Sequence, residues 1–347
     1  VMTIVEVARA ITGGVDTHLD VHVAAALDPL GALLGSERFE TTPSGYKSLL
    51  SWLESFGEVS KVGVEGTGSY GAGLTRFLHH RGVDVVEVCR PNRQARRNQG
   101  KSDPLDAIEA ARAALSGRAE GQAKTHDGAV EAIRVLLVAK RSARQARVKA
   151  LVQMRHLGYS APEQLRCRMK GLRVSALVAE GAKLRPTRST DPVTAATKAS
   201  LSSLAHRIQA LGQEITELDD LLRPLVTAAA PQLLALFGLG PDTTAALLVA
   251  AGDNPERLRS EAAWAHLCGV APLQASSGKV TRHRLDRGGN RQANSALHRI
   301  VLVRIAHDPE TKVYFERRLK EGRSKREVIR TLKRYVAREV YRKLPRG

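Results

Sequence analysis

The stretch ITGGVDTHLDVHVAAALDPLGALLGSERFET, residues 11–41, decides the fold of the first part of this 347-residue chain. It holds three runs of strand length, residues 11–15, 21–27 and 33–41, and a Pro-Leu-Gly turn separates the last two. We therefore expect three short strands, the first of which ends at Asp16.

Helical and strand patterns alternate after this stretch. Apolar residues recur at helical spacing over residues 46–53 and 74–78, and residues 59–64 and 83–88 are short apolar runs typical of strands. The first of these two strands leads to Glu65, and a further helix begins near residue 103. The resulting order, β-β-β-α-β-α-β-α, resembles that of RNase H-like domains, in which parallel strands are added to three antiparallel ones.

The charge of the chain is strongly basic and unevenly distributed. Lys and Arg number 54 against 35 Asp and Glu, a formal net charge of +19, which favours a polyanionic partner. Residues 1–125 carry 14 basic and 15 acidic side chains, whereas residues 271–347 carry 21 and 7. We therefore expect chemistry in the first part and binding of phosphates in the last.

The sequence argues against several classes of protein. Cys89, Cys167 and Cys268 lie far apart without a CxxC pair, so we expect neither a disulfide framework nor a zinc ribbon. The N-terminus lacks a basic segment followed by an apolar core, which predicts no secretory signal. The longest uncharged run, residues 224–241, contains three prolines, which argues against a membrane helix. We expect a soluble protein of the reducing cytosol.

The middle of the chain is predicted to be helical. Residues 126–157 have a basic helical pattern, and residues 158–200, interrupted by prolines, are interpreted as a mixed linker. Eight apolar residues follow at alternating spacings of three and four: Leu201, Leu204, Ile208, Leu211, Ile215, Leu218, Leu222 and Leu225. This pattern predicts a coiled coil formed by an antiparallel hairpin or by self-association. A helix packed against residues 130–155 of the same chain is the alternative.

The sequence LFGLGPDTT, residues 236–244, resembles the turn of a helix-hairpin-helix motif. Gly238 and Gly240 allow a tight turn, and backbone N–H groups at the start of the following helix can meet a phosphate. The alternative is an ordinary helix end followed by an N-cap at Asp242.

Four acidic residues stand at predicted strand ends and at one predicted helix start. Asp16 and Glu65 end strands. Asp103 and Asp106, spaced i,i+3, share one face of a helix. Clustered carboxylates repel, so gathering them at one sheet edge implies divalent cations, and oxygen ligands suit Mg²⁺ or Mn²⁺. Such ions stabilise the attacking and leaving oxygens in phosphoryl transfer.

Other interpretations of these residues stay open. GTGSYG, residues 66–71, matches the dinucleotide-binding pattern GxGxxG, with Glu87 about 20 residues further on. A carboxylate at Glu65 argues against it, because pyrophosphate would repel that charge. Ordinary roles are a turn at Asp16, an N-cap before Pro104 and a favourable charge in the first helical turn. His18 and His22 lie close to Asp16 and could line the site, but core or surface roles are favoured for both.

Six short motifs are distributed along the chain. They are GVDTH (14–18), VEGTGSY (64–70), KSDPLDA (101–107), GVAP (269–272), SSG (276–278) and RGGN (287–290). Together they resemble the motifs of the DEDD transposases of insertion-sequence group one-ten, the bridge-RNA-guided recombinases. The resemblance covers residues 11 to about 305, and the motifs are specific as a set rather than singly.

The resemblance implies three domains. These are a RuvC-like catalytic domain over residues 8–125, a helical coiled-coil region over residues 126–230 and a mostly α-helical transposase domain over residues 231–347. It implies that Mg²⁺ or Mn²⁺ is held by four acids: Asp16, Glu65, Asp103 and Asp106. It also implies that Ser277 attacks DNA to form a phosphoserine link, with the adjacent Ser276 as its rival, because the family match is to a Ser-Gly pair.

The resemblance further implies the partners of the protein. These are donor and target DNA, a structured noncoding RNA that pairs with both, and further copies of the chain in a dimer and a synaptic tetramer. A bacterial cytoplasmic protein associated with the nucleoid is expected. Two alternatives stay open: a RuvC-like nuclease that cuts by water attack without a serine, and a nucleic-acid-binding protein without catalysis.

Basic residues near the motifs are expected to bind phosphates. They are Arg93, Arg96, Arg97 and Lys101 in one loop, and Lys279, Arg282, Arg284, Arg287 and Arg291 after the serines. Residues 323–338 form a basic helix or tail whose backbone contacts should depend strongly on salt; a solvated helix face is the alternative. Aromatic residues make up only 4% of the chain, so stacking platforms for bases are expected to be scarce.

Overall fold

The computed structural model describes residues 9–88, 102–119, 121, 123–186, 191–275, 283–284, 286 and 288–345. These residues form two compact units. The first contains the described residues up to Glu131, those of Ala250–Gly289 and the last ones from Leu344; the second contains residues 132–249 and 290–343. Each unit is therefore assembled from segments that are distant in the chain. The division at residues 125 and 230 stays a prediction.

The first unit is built on a mixed five-stranded sheet. Its strands are β1 (Ala10–Thr17), β2 (Val21–Leu27), β3 (Leu33–Glu40), β4 (Glu58–Glu65) and β5 (Val85–Val88). They lie in the order β3-β2-β1-β4-β5, in which β1 to β3 pair antiparallel and β4 and β5 are added in parallel to β1. The predicted strand order is confirmed, and the sheet is consistent with an RNase H-like domain.

One face of the sheet packs against α1 (Pro43–Glu54) and α2 (Ala72–His80). α1 begins where the sequence provides a cap, because the Thr42 hydroxyl accepts a hydrogen bond from the N–H of Gly45 and a proline follows in the first turn. Apolar side chains of both helices and of the strands form one core: Leu49, Leu53, Leu74, Leu78, Val15 and Val64. Burial of each larger side chain contributes about 1.5–3 kcal/mol.

The opposite face of the sheet carries α3 (Asp103–Leu115), whose backbone lies directly on two strands. A Cβ atom on Gly14 of β1 would overlap the backbone of α3 at Ala107 and Ala111. A Cβ atom on Gly63 of β4 would lie 2.5 Å from a carbonyl oxygen of the same helix. Only glycine fits at either position, so the two residues fix the distance between α3 and the sheet.

The remaining elements are mostly helical. In chain order they are α4 (Ala129–Ser160), α5 (Glu163–Met169), α6 (Val174–Ala182), α7 (Pro192–Ala229), α8 (Pro231–Leu234), α9 (Pro241–Ala251), a 3₁₀ turn (Pro255–Arg257), α10 (Glu261–Leu267), β6 (Leu273–Gln274), β7 (His283–Arg284), α11 (Arg291–His307), α12 (Pro309–Lys320) and α13 (Lys325–Lys343). Among the described residues, no helix is long and apolar enough to cross a membrane.

The two long helices of the second unit, α4 and α7, run antiparallel. Lys140 of α4 pairs with Asp219 of α7, whereas Met154, further along α4, packs in one core with Ala205, earlier in α7. α7 passes through the predicted heptad seam as one helix. Coiled-coil packing and self-association stay predictions.

The interpretation of residues 158–200 as a mixed linker is wrong. α5, α6 and the first turns of α7 form within it, and Leu165, Met169, Leu177 and Val178 enter the core between α4 and α7. Pro162 is the N-cap residue of α5, and Pro192 is the first residue of α7. A missing N–H costs little at these positions, so here the prolines mark helix starts rather than irregular chain.

Candidate metal site at the edge of the sheet

Asp16 and Glu65 lie side by side at one edge of the sheet. The parallel pairing of β1 with β4 sets Val15 beside Val64. The next residues, Asp16 and Glu65, therefore occupy neighbouring positions on strands about 4.8 Å apart. The hydroxyl of Thr17 donates a hydrogen bond of 2.7 Å to the carbonyl oxygen of Glu65, which ties the two strand ends together.

Both acids belong to the face of the sheet that carries α3. Side chains alternate along a strand, so Asp16 shares its face with Gly14, and Glu65 shares its face with Gly63. Because these two glycines contact α3, the acids point to the side on which that helix begins. On each strand, the glycine allows α3 to approach the sheet, and the acid two residues later points to the same side as that helix.

The N-terminus of α3 brings two further acids to this edge. Ser102 is the N-cap residue, so the alternative of an N-cap at Asp103 is wrong: Asp103 is the first helical residue, and its carboxylate is not used as a cap. Asp106, one turn further on, is only 5% exposed. The charges of both acids act on Asp16.

A histidine completes the cluster. One ligand atom each from Asp16, His18 and Asp103 lies within 4.8 Å of the others, and among the described residues this is the group whose donors could hold a metal ion. The ring Nε2 atom of His18 lies 3.1 Å from Oδ2 of Asp16 and 3.6 Å from Oδ1 of Asp103. Glu65 and Asp106 are outside this group of three.

The electrostatics of the cluster are those of crowded, partly buried acids. Burial raises the pKa of the Asp16 carboxyl; His18 lowers it, and the nearby carboxylates of Asp106 and Asp103 raise it again. The net pKa is above the usual value of Asp. The charged carboxylate is therefore disfavoured in the folded protein, and a cation placed among these residues would stabilise it.

The donor set fits a divalent cation. Carboxylate oxygens from β1 and α3 are hard ligands that suit Mg²⁺ and Mn²⁺, and an imidazole nitrogen is more common with Mn²⁺ and later transition metals. His18 is half-exposed, so it can either join the ligands or orient the carboxylate of Asp16. A divalent metal site at this edge is consistent with the structure.

His18 takes the less favoured of its two predicted roles, because it lies at the site rather than only at the surface. The sequence signal for this role is its position two residues after Asp16, just beyond the end of β1, where the chain turns toward β2. His22, by contrast, is a core residue: it is fully buried, and its ring stacks on Tyr46 at 5.7 Å between centroids.

The other predicted site residues lie partly on described elements and partly outside the described residues. Two lie on described elements and are exposed: Arg284 on β7 and Arg291 at the start of α11. Those that lie outside the described residues are Ser276, Ser277, Lys279, Arg282, Arg287, Arg93, Arg96, Arg97 and Lys101.

The predicted helix-hairpin-helix turn makes contacts with α4 and α11 of the same chain. Gly238 lies against Ile300 of α11, and the N–H of Gly240 donates to the hydroxyl of Thr243 at 2.9 Å. Asp242 pairs with Lys140 and, at 3.0 Å, with Arg144, both on α4. The carboxylate at the start of α9 is therefore occupied by two cations, and phosphate binding at this turn stays a prediction.

Comparison with known families identifies the chain. A sheet of this order with acids at the ends of its central strands is consistent with an RNase H-like domain. The family model for DEDD transposases of IS110 matches residues 13–157, and a second model, described as the IS116/IS110/IS902 transposase family, matches residues 230–316. The chain belongs to the IS110 family of DEDD transposases.

Two curated proteins are similar to parts of the chain. One is the insertion element IS110 uncharacterized 43.6 kDa protein of Streptomyces coelicolor, 30% identical over 135 residues, which are 38% of this chain and 33% of that protein. The other is the insertion element IS900 uncharacterized 42 kDa protein of Mycobacterium paratuberculosis. It is 25% identical over 197 residues, which are 51% of this chain and 48% of that protein. The matches span between a third and a half of these relatives.

Proposed function

We propose that the protein is a transposase that cuts and rejoins DNA at the ends of an insertion sequence. The observation that carries this proposal is the cluster of Asp16, His18 and Asp103 at the edge of an RNase H-like sheet. Membership in a transposase family supports DNA as the substrate. The chemistry is phosphoryl transfer that depends on a divalent metal ion, Mg²⁺ or Mn²⁺.

The acids would coordinate the metal ion, and His18 would orient two of their carboxylates. Asp16 and Asp103 would supply oxygen ligands, with Glu65 and Asp106 beside them. A bound Mg²⁺ ion would supply charge stabilisation to the attacking and leaving oxygens of the phosphodiester. His18 contacts both Asp16 and Asp103, so it keeps their carboxylates turned toward one another.

Strand cleavage would proceed through a serine. The hydroxyl oxygen of Ser277 attacks the scissile phosphorus, its proton passes to a base, and the bond from phosphorus to the leaving DNA oxygen breaks. A second DNA end then attacks the phosphoserine and releases the serine with the strand rejoined. Ser276 is the rival nucleophile. This assignment rests on the motif SSG at residues 276–278 and on the family resemblance.

The proposed partners follow from the same resemblance. They are donor and target DNA, a structured noncoding RNA that guides both, and further copies of the chain that form a dimer and then a synaptic tetramer. The net charge of +19 supports binding of polyanions of either kind.

Recombination on a plasmid tests the proposal. The full-length protein would be incubated with Mg²⁺, the RNA transcribed from the flank of the element, and supercoiled DNA carrying its ends. We expect recombined product and a protein–DNA adduct that survives denaturation. The adduct should disappear with EDTA, with Asp16→Asn and with Ser277→Ala, whereas Ser276→Ala should retain it; the reverse result would assign Ser276.

The same assay separates the alternatives. A nuclease that uses water would continue to cut after both serines are replaced and would never form an adduct. A binding protein would retain affinity and show no metal-dependent cleavage. Either result would contradict the proposed transposase mechanism.

A further inference from the structure

A dense basic segment lies in the second unit, far in sequence from the basic residues of the C-terminus. Residues 140–186, which we call the basic tip, carry 12 basic and 2 acidic side chains. The next residues, 187–270, carry 6 basic and 9 acidic side chains. Their net negative charge offsets part of the positive charge of the tip when the charge of the whole middle region is summed. The tip consists of most of α4 together with α5 and α6.

A cavity opens within the basic tip. It has a volume of about 560 Å³ and lies between the end of α4, α5 and the turn that leads into α6. This volume falls within the range of roughly 300–1,000 Å³ typical of small-molecule sites. The cavity has an apolar floor, formed by Met169, Leu172 and Leu177. Its rim is cationic and is formed by Arg155, Arg166 and Lys170.

The cationic rim is incompletely neutralised. Glu163 is the acid of the cavity lining; it pairs with Arg166 and accepts a hydrogen bond of 3.1 Å from the thiol of Cys167. Arg155 and Lys170 are exposed, and neither has an ion-pair partner in the part of the chain that the structure describes. The rim therefore carries excess positive charge and suits an anion.

An exposed aromatic ring stands beside these charges. Tyr159, at the end of α4, lines the cavity and is 70% exposed. An aromatic face next to cations is the arrangement by which proteins bind single-stranded nucleic acid, because bases stack on the ring while phosphates contact the cations. The buried core between α4 and α7 does not use this ring.

We propose that this cavity binds one nucleotide of a single-stranded polynucleotide. The base lies on the floor formed by Met169 and Leu177 and stacks against Tyr159. The flanking phosphates contact Arg155 and Lys170. RNA and DNA share the base and phosphate that this chemistry recognises, and a contact to the 2′-hydroxyl would distinguish them. The proposal is independent of strand cleavage, because it requires neither the acids nor a metal ion.

Binding of short oligonucleotides tests the proposal. The full-length protein in EDTA would be titrated into fluorescent 12-nucleotide single-stranded DNA, the same RNA and the DNA duplex, and anisotropy recorded. We expect Tyr159→Ala to weaken single-strand affinity about tenfold, as for the loss of one stacked base. Tyr159→Phe should keep the affinity, since stacking needs only the ring. Duplex affinity should be nearly unchanged, because a paired base cannot enter the cavity.

A charge-matched control separates the cavity from general attraction. Arg155→Gln should weaken single-strand binding, whereas Arg223→Gln, which removes an exposed arginine of α7 outside the tip, should leave it nearly unchanged. Equal effects of Tyr159→Ala on the single strands and on the duplex would overturn the proposal. So would equal effects of the two arginine substitutions.

The thiol in the cavity provides a second measurement that does not depend on a variant. Cys167 is exposed and lines the cavity, whereas Cys268 is buried. The alkylation rate of the Cys167 peptide, followed by mass spectrometry, should fall several-fold when single-stranded oligonucleotide saturates the protein, and inorganic polyphosphate should protect it much less. Unchanged alkylation, or equal protection by polyphosphate, would contradict a nucleotide in this cavity.

Discussion

The acidic cluster of the first unit and the basic tip of the second are constructed in opposite ways. The acids are positioned by backbone contacts: two parallel strand ends, and a helix that rests on Gly14 and Gly63. Apart from the buried Lys140, the cations of the tip lie at exposed or half-exposed positions, so we expect that each can be removed without moving the others. A single change should therefore abolish the function of the first site, whereas changes in the second should add up in small steps.

The largest effect is expected for Asp16→Asn. Loss of one metal ligand removes several kcal/mol of transition-state stabilisation, so metal-dependent cleavage should fall about a thousandfold or more. The measurement is the rate of strand cleavage on plasmid DNA.

Stability provides the control for this substitution. Because the pKa of Asp16 is raised in the folded protein, the ionised carboxylate destabilises the fold above that pKa, and this penalty is present at pH 7. A neutral amide removes it, so the melting temperature of metal-free Asp16→Asn should equal or exceed that of the wild type. A lower melting temperature would mean that activity is lost through unfolding instead.

The second largest effect tests the role of close backbone packing. Gly14→Ala places a methyl group into the backbone of α3 and should lower the free energy of unfolding by about 1–3 kcal/mol or more. Gly212→Ala is the matched control, because Gly212 lies within α7 with open space around its Cα. It should raise stability by up to about 1 kcal/mol. Denaturant unfolding measures both, and equal effects would refute the close-packing argument.

A pH effect on stability is expected from a buried histidine of the sheet unit. Burial, and secondarily the nearby His18, lower the pKa of His22 to about 4. The unfolded chain takes up this proton near pH 6.5, so His22 lowers stability as the pH falls from 6.5 to 4, by about 3 kcal/mol in total.

The test is a substitution that removes the titrating group. His22→Phe keeps an aromatic ring that can stack on Tyr46 and removes the titration, so its unfolding free energy should depend less on pH than that of the wild type. Parallel curves for the wild type and His22→Phe would show that His22 does not titrate in this window.

The smallest effect is expected in the basic tip. Arg155→Gln should reduce the slope of log affinity against log salt by about 1, because one phosphate contact releases about one counterion. Binding titrations between low and moderate salt measure the slope. A collapse of binding, rather than one graded step, would show that the tip is as interdependent as the acidic cluster.

Much of the first unit is predictable because its signals are local. Strand lengths, the Pro-Leu-Gly turn and the apolar runs before Asp16 and Glu65 determine the strand order, and parallel strands ending at one edge bring these two acids together. The DEDD motif set identified the family that the comparisons confirm. The metal ligands and the serine stay predictions.

Other features depend on contacts that a local pattern does not contain. The need for glycine at Gly14 and Gly63 follows from the approach of α3, more than 40 residues away in the chain. His18 joins the acids because α3 brings Asp103 to it. The prolines at the starts of α5 and α7 are equally compatible with a helix start and with irregular chain, and packing between α4 and α7 decides between them.

The close packing of α3 against Gly14 and Gly63 has a consequence for how the sequences of relatives can diverge. The carboxylate of Asp103 is placed by contact between helix and sheet rather than by the connection that precedes it. Residues can therefore be inserted or deleted between Val88 and Ser102 while the carboxylate keeps its location. The sequence of this connection can therefore diverge among relatives without a change in the placement of Asp103.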